Sequence, residues 1–132
     1  MSASRPTLTV TSVTIACPAP RELAAFYAKL LDTSVGEEEP PREGEPPEAG
    51  WAQLRAGELT LNFEWDRHWA RPVWPSQSGA QTATEHLDIM VDDLQGAIDW
   101  ASECGATAAE FQPQEDVRVM IDPQGHPFCL FA

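Results

Sequence analysis

The chain repeats itself. Val10–Cys17 and the following Pro18–Leu31 align, at an offset of 74 residues, with Thr84–Val91 and the following Asp92–Gly105. Ser12 falls on His86, Val13 on Leu87 and Phe26 on Trp100. Each opening run alternates apolar and polar residues, the pattern of a half-buried strand. Each is followed by a helix start signal: Pro18 and Pro20 in the first half, Asp92-Asp93 in the second. Leu23, Phe26, Tyr27, Leu30 and Leu31 then recur at helical spacing, as do Leu94, Ala97, Ile98, Ala101 and Cys104, so each helix has one face to bury. Further strands are expected at Trp51–Arg55, Leu59–Trp65, Val117–Ile121 and Pro127–Phe131, with short ones near Ser34–Glu38 and Thr107–Phe111. Each half therefore reads as strand, helix, then two or three strands.

A chain of 132 residues suits one domain. The halves span about residues 7–66 and 84–132, joined by a linker at about 67–83. The 8 basic against 21 acidic residues leave a net charge of -13, which argues against nucleic acid and anionic membranes as partners. No stretch approaches the roughly 18 apolar residues of a membrane span, and Met1–Pro6 lacks the apolar core of a signal peptide. Cys17, Cys104 and Cys129 form no disulfide pattern, so a reducing cytoplasm is the expected setting. Gly36–Ala49, with six Glu and four Pro, reads as a mobile, solvated loop.

Several motifs resemble the vicinal oxygen chelate superfamily, the glyoxalase and bleomycin-resistance group. They are Pro18-Ala19-Pro20 before Leu23-Ala24-Ala25-Phe26-Tyr27, His86 through Leu94, Gly105-Ala106-Thr107, and Asp122-Pro123-Gln124-Gly125-His126-Pro127-Phe128-Cys129-Leu130. The Trp74-Pro75 pair is similar to a glyoxalase-like subgroup. The resemblance implies an α+β fold of two tandem βαβββ modules whose curved sheets form a cup, with helices packed outside. It also implies a homodimer whose cups form near the subunit interface.

Alternation then sorts residues onto the cup face. Ser12, Thr14 and Ala16 belong there, as do Thr60, Asn62 and Glu64; His86, Asp88 and Met90; Trp51, Gln53 and Arg55; and Cys129 with Phe131. The resemblance carries four metal-ligand positions onto Ser12, Glu64, His86 and Cys129. Ser12 and Cys129 depart from the usual His and Glu, so no metal is expected; a divalent ion, if bound, would fall to Glu64, His86 and Cys129. Glu64 and His86 are the candidate general acid and base. Alternatively Glu64 pairs with Arg55 or Arg118, and His86 with Asp88, as structural polar pairs. Trp51, Arg55, Asn62, Trp69, Trp74, Asp88, Met90 and Arg118 are the candidate ligand contacts. Trp69 and Trp74 suit either a pocket wall or anchors tethering the linker and a partner subunit. Trp100 suits core or interface, and His126 reads as a turn residue.

Three functions remain at this point. One is a binding protein for a small aromatic or cationic molecule, the favoured reading. The second is a lyase or isomerase acting on a small oxygenated substrate through Glu64 and His86. The third is a domain for assembly or regulation.

Overall fold

The computed structural model describes residues 4–132. The first module comprises β1 (Ser12–Cys17), α1 (Pro20–Leu30), β2 (Val35–Glu39), β3 (Trp51–Ala56) and β4 (Leu59–Trp65). The second comprises β5 (Leu87–Met90), α2 (Leu94–Cys104), β6 (Thr107–Ala108), β7 (Val117–Ile121) and β8 (Pro127–Phe131). The sheets have matching orders, β1-β4-β3-β2 and β5-β8-β7-β6. In each, the first and last strands of the module run parallel and the other pairs antiparallel. The architecture is therefore α+β, two tandem βαβββ modules, as the repeat implies.

The local chemistry explains the element ends. Pro20 opens α1, where its missing N–H has no helical partner to lose. Asp93 caps α2 by accepting a hydrogen bond from the Gly96 amide at 3.1 Å. Gly105 closes α2 at φ 119, a left-handed conformation that glycine adopts without a Cβ clash. β5 is shorter than the alternation suggests: it begins at Leu87, leaving His86 just outside the strand.

Both helices turn their apolar stripes into one continuous core. Leu23, Phe26 and Tyr27 of α1 meet Leu54, Leu61 and Phe63 of the first sheet and Met120, Phe128 and Leu130 of the second. Tyr27 stacks on Phe63 at 5.7 Å between ring centres and meets Phe128 edge-on at 5.9 Å. Such pairs add about 0.5–1.5 kcal/mol each beyond the area they bury. Helix α1 packs against α2, and Trp100 donates its indole N–H to the Leu30 carbonyl at 3.1 Å, so it ties the helices together. Among the described residues, no strand of one sheet approaches a strand of the other. The helix-side faces thus share a core, and the opposite faces look away from it.

The Gly36–Ala49 stretch departs from the mobile loop expected. Its start is built into β2, and Arg21 of α1 donates to the carbonyls of Pro47 and Ala49. Ala49 is fully buried. A local charge composition does not reveal that a distant arginine will hold a loop's carbonyls.

Candidate functional site

The first sheet's outer face is a grid of polar residues. Direct cross-strand partners share a face. One row runs Ala16, Glu64, Trp51, Glu39 across β1, β4, β3 and β2. The next runs Thr14, Asn62, Gln53, Glu37. Gln53 donates to the Asn62 side-chain oxygen at 2.7 Å, and Asn62 donates to the Thr14 hydroxyl at 3.3 Å. Arg55 pairs with Thr60 a further step along, away from Glu64. Beside the first row lies a cavity of about 310 Å³, lined by first-module residues that include Glu39, Trp51, Glu64 and Trp65.

The second sheet carries a separate cluster. One ligating atom each from His86, Asp88 and Cys129 lies within 4.8 Å of the others. Asp88 and Cys129 are direct partners on β5 and β8. The His86 Nε2 lies 3.1 Å from a carboxylate oxygen of Asp88, the polar pair expected as one alternative. Burial and then the neighbouring Asp88 carboxylate hold the Cys129 thiol above its ordinary value of 9.0, so it stays protonated at neutral pH. Met90 is 77% exposed beside this cluster.

Glu64 is not part of this cluster, and its cavity contains no second-module residue. One chain therefore does not bring Glu64 and His86 together. The reason is that the sheets are joined through their helices and not edge to edge.

The register also corrects the expected ligand set. Thr14 and Asp88 are equivalent under the 74-residue offset. Thr14 pairs with Asn62, whereas Asp88 pairs with Cys129. The first-module equivalent of Cys129 is thus Asn62, and Glu64 lies two residues beyond it. A set of Ser12, Asn62, His86 and Cys129 offers a hydroxyl, an amide, an imidazole and a thiol. That set has no carboxylate and does not fit a hard divalent ion; the observed cluster adds the Asp88 carboxylate to His86 and Cys129, a combination of donors that zinc accepts.

Other expected contacts fall elsewhere. Arg118 pairs with Leu130, whose side chain belongs to the core, so it occupies the helix side of its sheet and not the cup face. Neither Arg55 nor Arg118 forms an ion pair with Glu64 among the described residues. The Trp74 indole N–H donates to the Phe111 carbonyl at 3.1 Å, and the Trp69 ring lies 5.3 Å from that of His126. Both tryptophans anchor the linker to the second module.

Sequence reasoning missed a buried network between the modules. Asp122, 2% exposed, accepts from the Tyr27 hydroxyl at 2.8 Å and from the backbone amides of Gln124, Gly125 and His126. His126 places Nδ1 3.0 Å from the Asp122 carboxylate and Nε2 2.8 Å from the Ala16 carbonyl. Gln124 bonds both the amide and the carbonyl of Ala19. Gly125, at φ 106, admits the Arg71 side chain where a Cβ would come within 2.7 Å of it. The motif was visible in the sequence, but its partners lie about a hundred residues away.

The sequence matches the glyoxalase-like domain family over residues 12–131. No curated protein matches it. The fold is similar to a glyoxalase family protein from Enterococcus faecalis, with TM-score 0.67, 21% identity, and 94% of this chain and 97% of that chain covered. It is also similar to a variant of the fosfomycin resistance protein FosX from Listeria monocytogenes, solved with Mn(II) and 1S,2S-dihydroxypropylphosphonic acid. There the TM-score is 0.70 at 9% identity, covering 96% of this chain and 94% of that one. A third match is a glyoxalase/bleomycin resistance protein/dioxygenase family enzyme from Burkholderia phytofirmans, with TM-score 0.58, 16% identity, and 91% and 94% covered. With the repeat, both sheets and nearly the whole chain accounted for, this protein belongs to the glyoxalase-like domain family, within the vicinal oxygen chelate superfamily.

Proposed function

We propose that this protein binds a small organic molecule in a cup assembled from two copies of the chain. The observation that carries this reading is the division of the cup. The Glu64 face and the His86–Asp88–Cys129 face are both formed and both open, yet they do not meet within one chain. β1 and β5 each end a sheet with one unpaired edge. Exposed backbone edges favour pairing with another chain. A homodimer that sets the first sheet of one copy beside the second sheet of the other would complete the cup. This reading routes no step through a metal; His86, Asp88 and Cys129 are the residues that would hold one if it bound. The three thiols without disulfides suit a reducing, cytoplasmic setting.

A second reading is supported by one geometry. The Asp88 carboxylate orients His86 at 3.1 Å, as an acid–base catalyst needs. On that reading Glu64 of one copy and His86 of the other would move a proton on a small oxygenated substrate.

Sedimentation and ligand screening test the proposal together. The expected mass is twice 14.5 kDa. At least one organic ligand class in a panel of cations, neutral aromatics and small acids should change tryptophan emission and raise Tm. A monomer at all concentrations, or no response from any class, overturns the reading. Turnover of an oxygenated substrate that is lost in both Glu64→Gln and His86→Ala, with Tm retained, would favour the enzyme.

A further inference from the structure

We infer that the Glu39–Trp51–Glu64 row is a subsite for an organic cation, an ammonium group carried by the ligand. This rests on the small-molecule reading above and names the ligand's chemistry. Trp51 lies between Glu39 on β2 and Glu64 on β4, direct partners on the same sheet face. Such neighbours have Cβ atoms about 5 Å apart. The indole thus has a carboxylate on either side of it along the sheet. All three side chains line the 310 Å³ cavity, which is large enough for a substituted ammonium group.

Two features favour a cation over a neutral or anionic group. Glu39, Glu45 and Glu64 contribute three carboxylates to the cavity wall, against one arginine, Arg42. Among the described residues none of the three is in a salt bridge; Glu45 accepts from the Arg42 backbone amide at 2.7 Å, and Glu39 and Glu64 have no such partner. An aromatic face flanked by carboxylates is the usual chemistry for recognising ammonium groups. The site is held from beneath: Arg21 binds the carbonyls of Pro47 and Ala49, and the next residue, Gly50, lines the same cavity.

Benzyltrimethylammonium and choline are the probes, with 3,3-dimethylbutan-1-ol as the uncharged isostere of choline. Titrations are read by tryptophan emission and calorimetry on the full chain. Choline should bind about tenfold more tightly than its isostere. Glu39→Gln should weaken both cations about three- to fivefold and leave the isostere unchanged, with Tm retained. Trp51→Leu should remove most of the emission change. Raising salt from about 0.01 to about 1 M, which shortens the screening length from ~30 to ~3 Å, should weaken the cations alone. Equal affinity for choline and its isostere, or cation affinity unchanged in Glu39→Gln, overturns the inference. If neutral or acidic ligands bind and no cation does, the inference falls while the binding function stands. If no ligand of any class binds, both fall.

Discussion

His126 is held at both ring nitrogens, and both of its partners are acceptors: a carboxylate and a carbonyl. Only the doubly protonated imidazolium can donate to both. Burial opposes that charge, but the hydrogen bond and charge of Asp122 overcome it and raise the His126 pKa above its ordinary 6.5. Asp122 shifts the other way. Burial alone would raise it, but the bonds from His126 and Tyr27 lower it below 3.8. The raised histidine contributes stability that is complete below about 6.5 and is lost as pH rises through its folded value. The lowered aspartate contributes stability that is present above about 3.8 and is lost as pH falls through its folded value. Tm should therefore be highest between these values and fall as pH climbs past neutrality. His126→Asn should have a lower maximum and a flatter neutral-to-alkaline limb. Calorimetric scans across pH check this; a wild-type Tm that stays level or rises through that window contradicts it.

At the scale of elements, the repeat and its alternation were enough to read most of the fold. β4, β7 and β8 occupy the residues that their period-2 patterns mark, and both helices bury the stripes that their spacing marks. Three things were less legible. The register that puts Asn62, and not Glu64, opposite Thr14 depends on how β1 and β4 align, which alternation leaves free by two residues. The facing of Arg118 failed for a related reason: Val117, Val119 and Ile121 are apolar on the outer face, so both faces of β7 look hydrophobic in sequence. The order of the Gly36–Ala49 loop depends on Arg21, whose role no local pattern signals. Arg21→Ala should cost about 1–3 kcal/mol through the carbonyls it releases. It should also open a cleavage site between residues 40 and 48, mapped by limited proteolysis. An unchanged Tm and an uncut loop would show that the carbonyls do not need it.

The candidate site was legible by residue type and not by assembly. His86 with Asp88, Glu64 with Trp51, and the polar Asn62 row all follow from alternation. That they form two separate faces does not, because both faces have the same pattern whether the sheets join within one chain or between two. The whole molecule also changes the meaning of its charge of -13. Glu39 and Glu45, which lie in the acidic loop and its adjoining strand, line the Glu64 cavity and do not merely solvate the surface.

The core that runs through Tyr27, Phe63 and Phe128 has a consequence for the connection between the halves. Each helix packs on its own sheet, but Phe26 and Tyr27 of the first unit also seat Phe128 of the second, so the two units share one core. The covalent link through residues 67–83 then matters less than the surfaces it joins. Cleaving the chain between Ser76 and Ala80 should leave the two fragments together as one cooperatively melting particle. The separated fragments should recover that melting transition when mixed, and each alone should show none. A fragment that melts cooperatively by itself would show that the halves are independent after all.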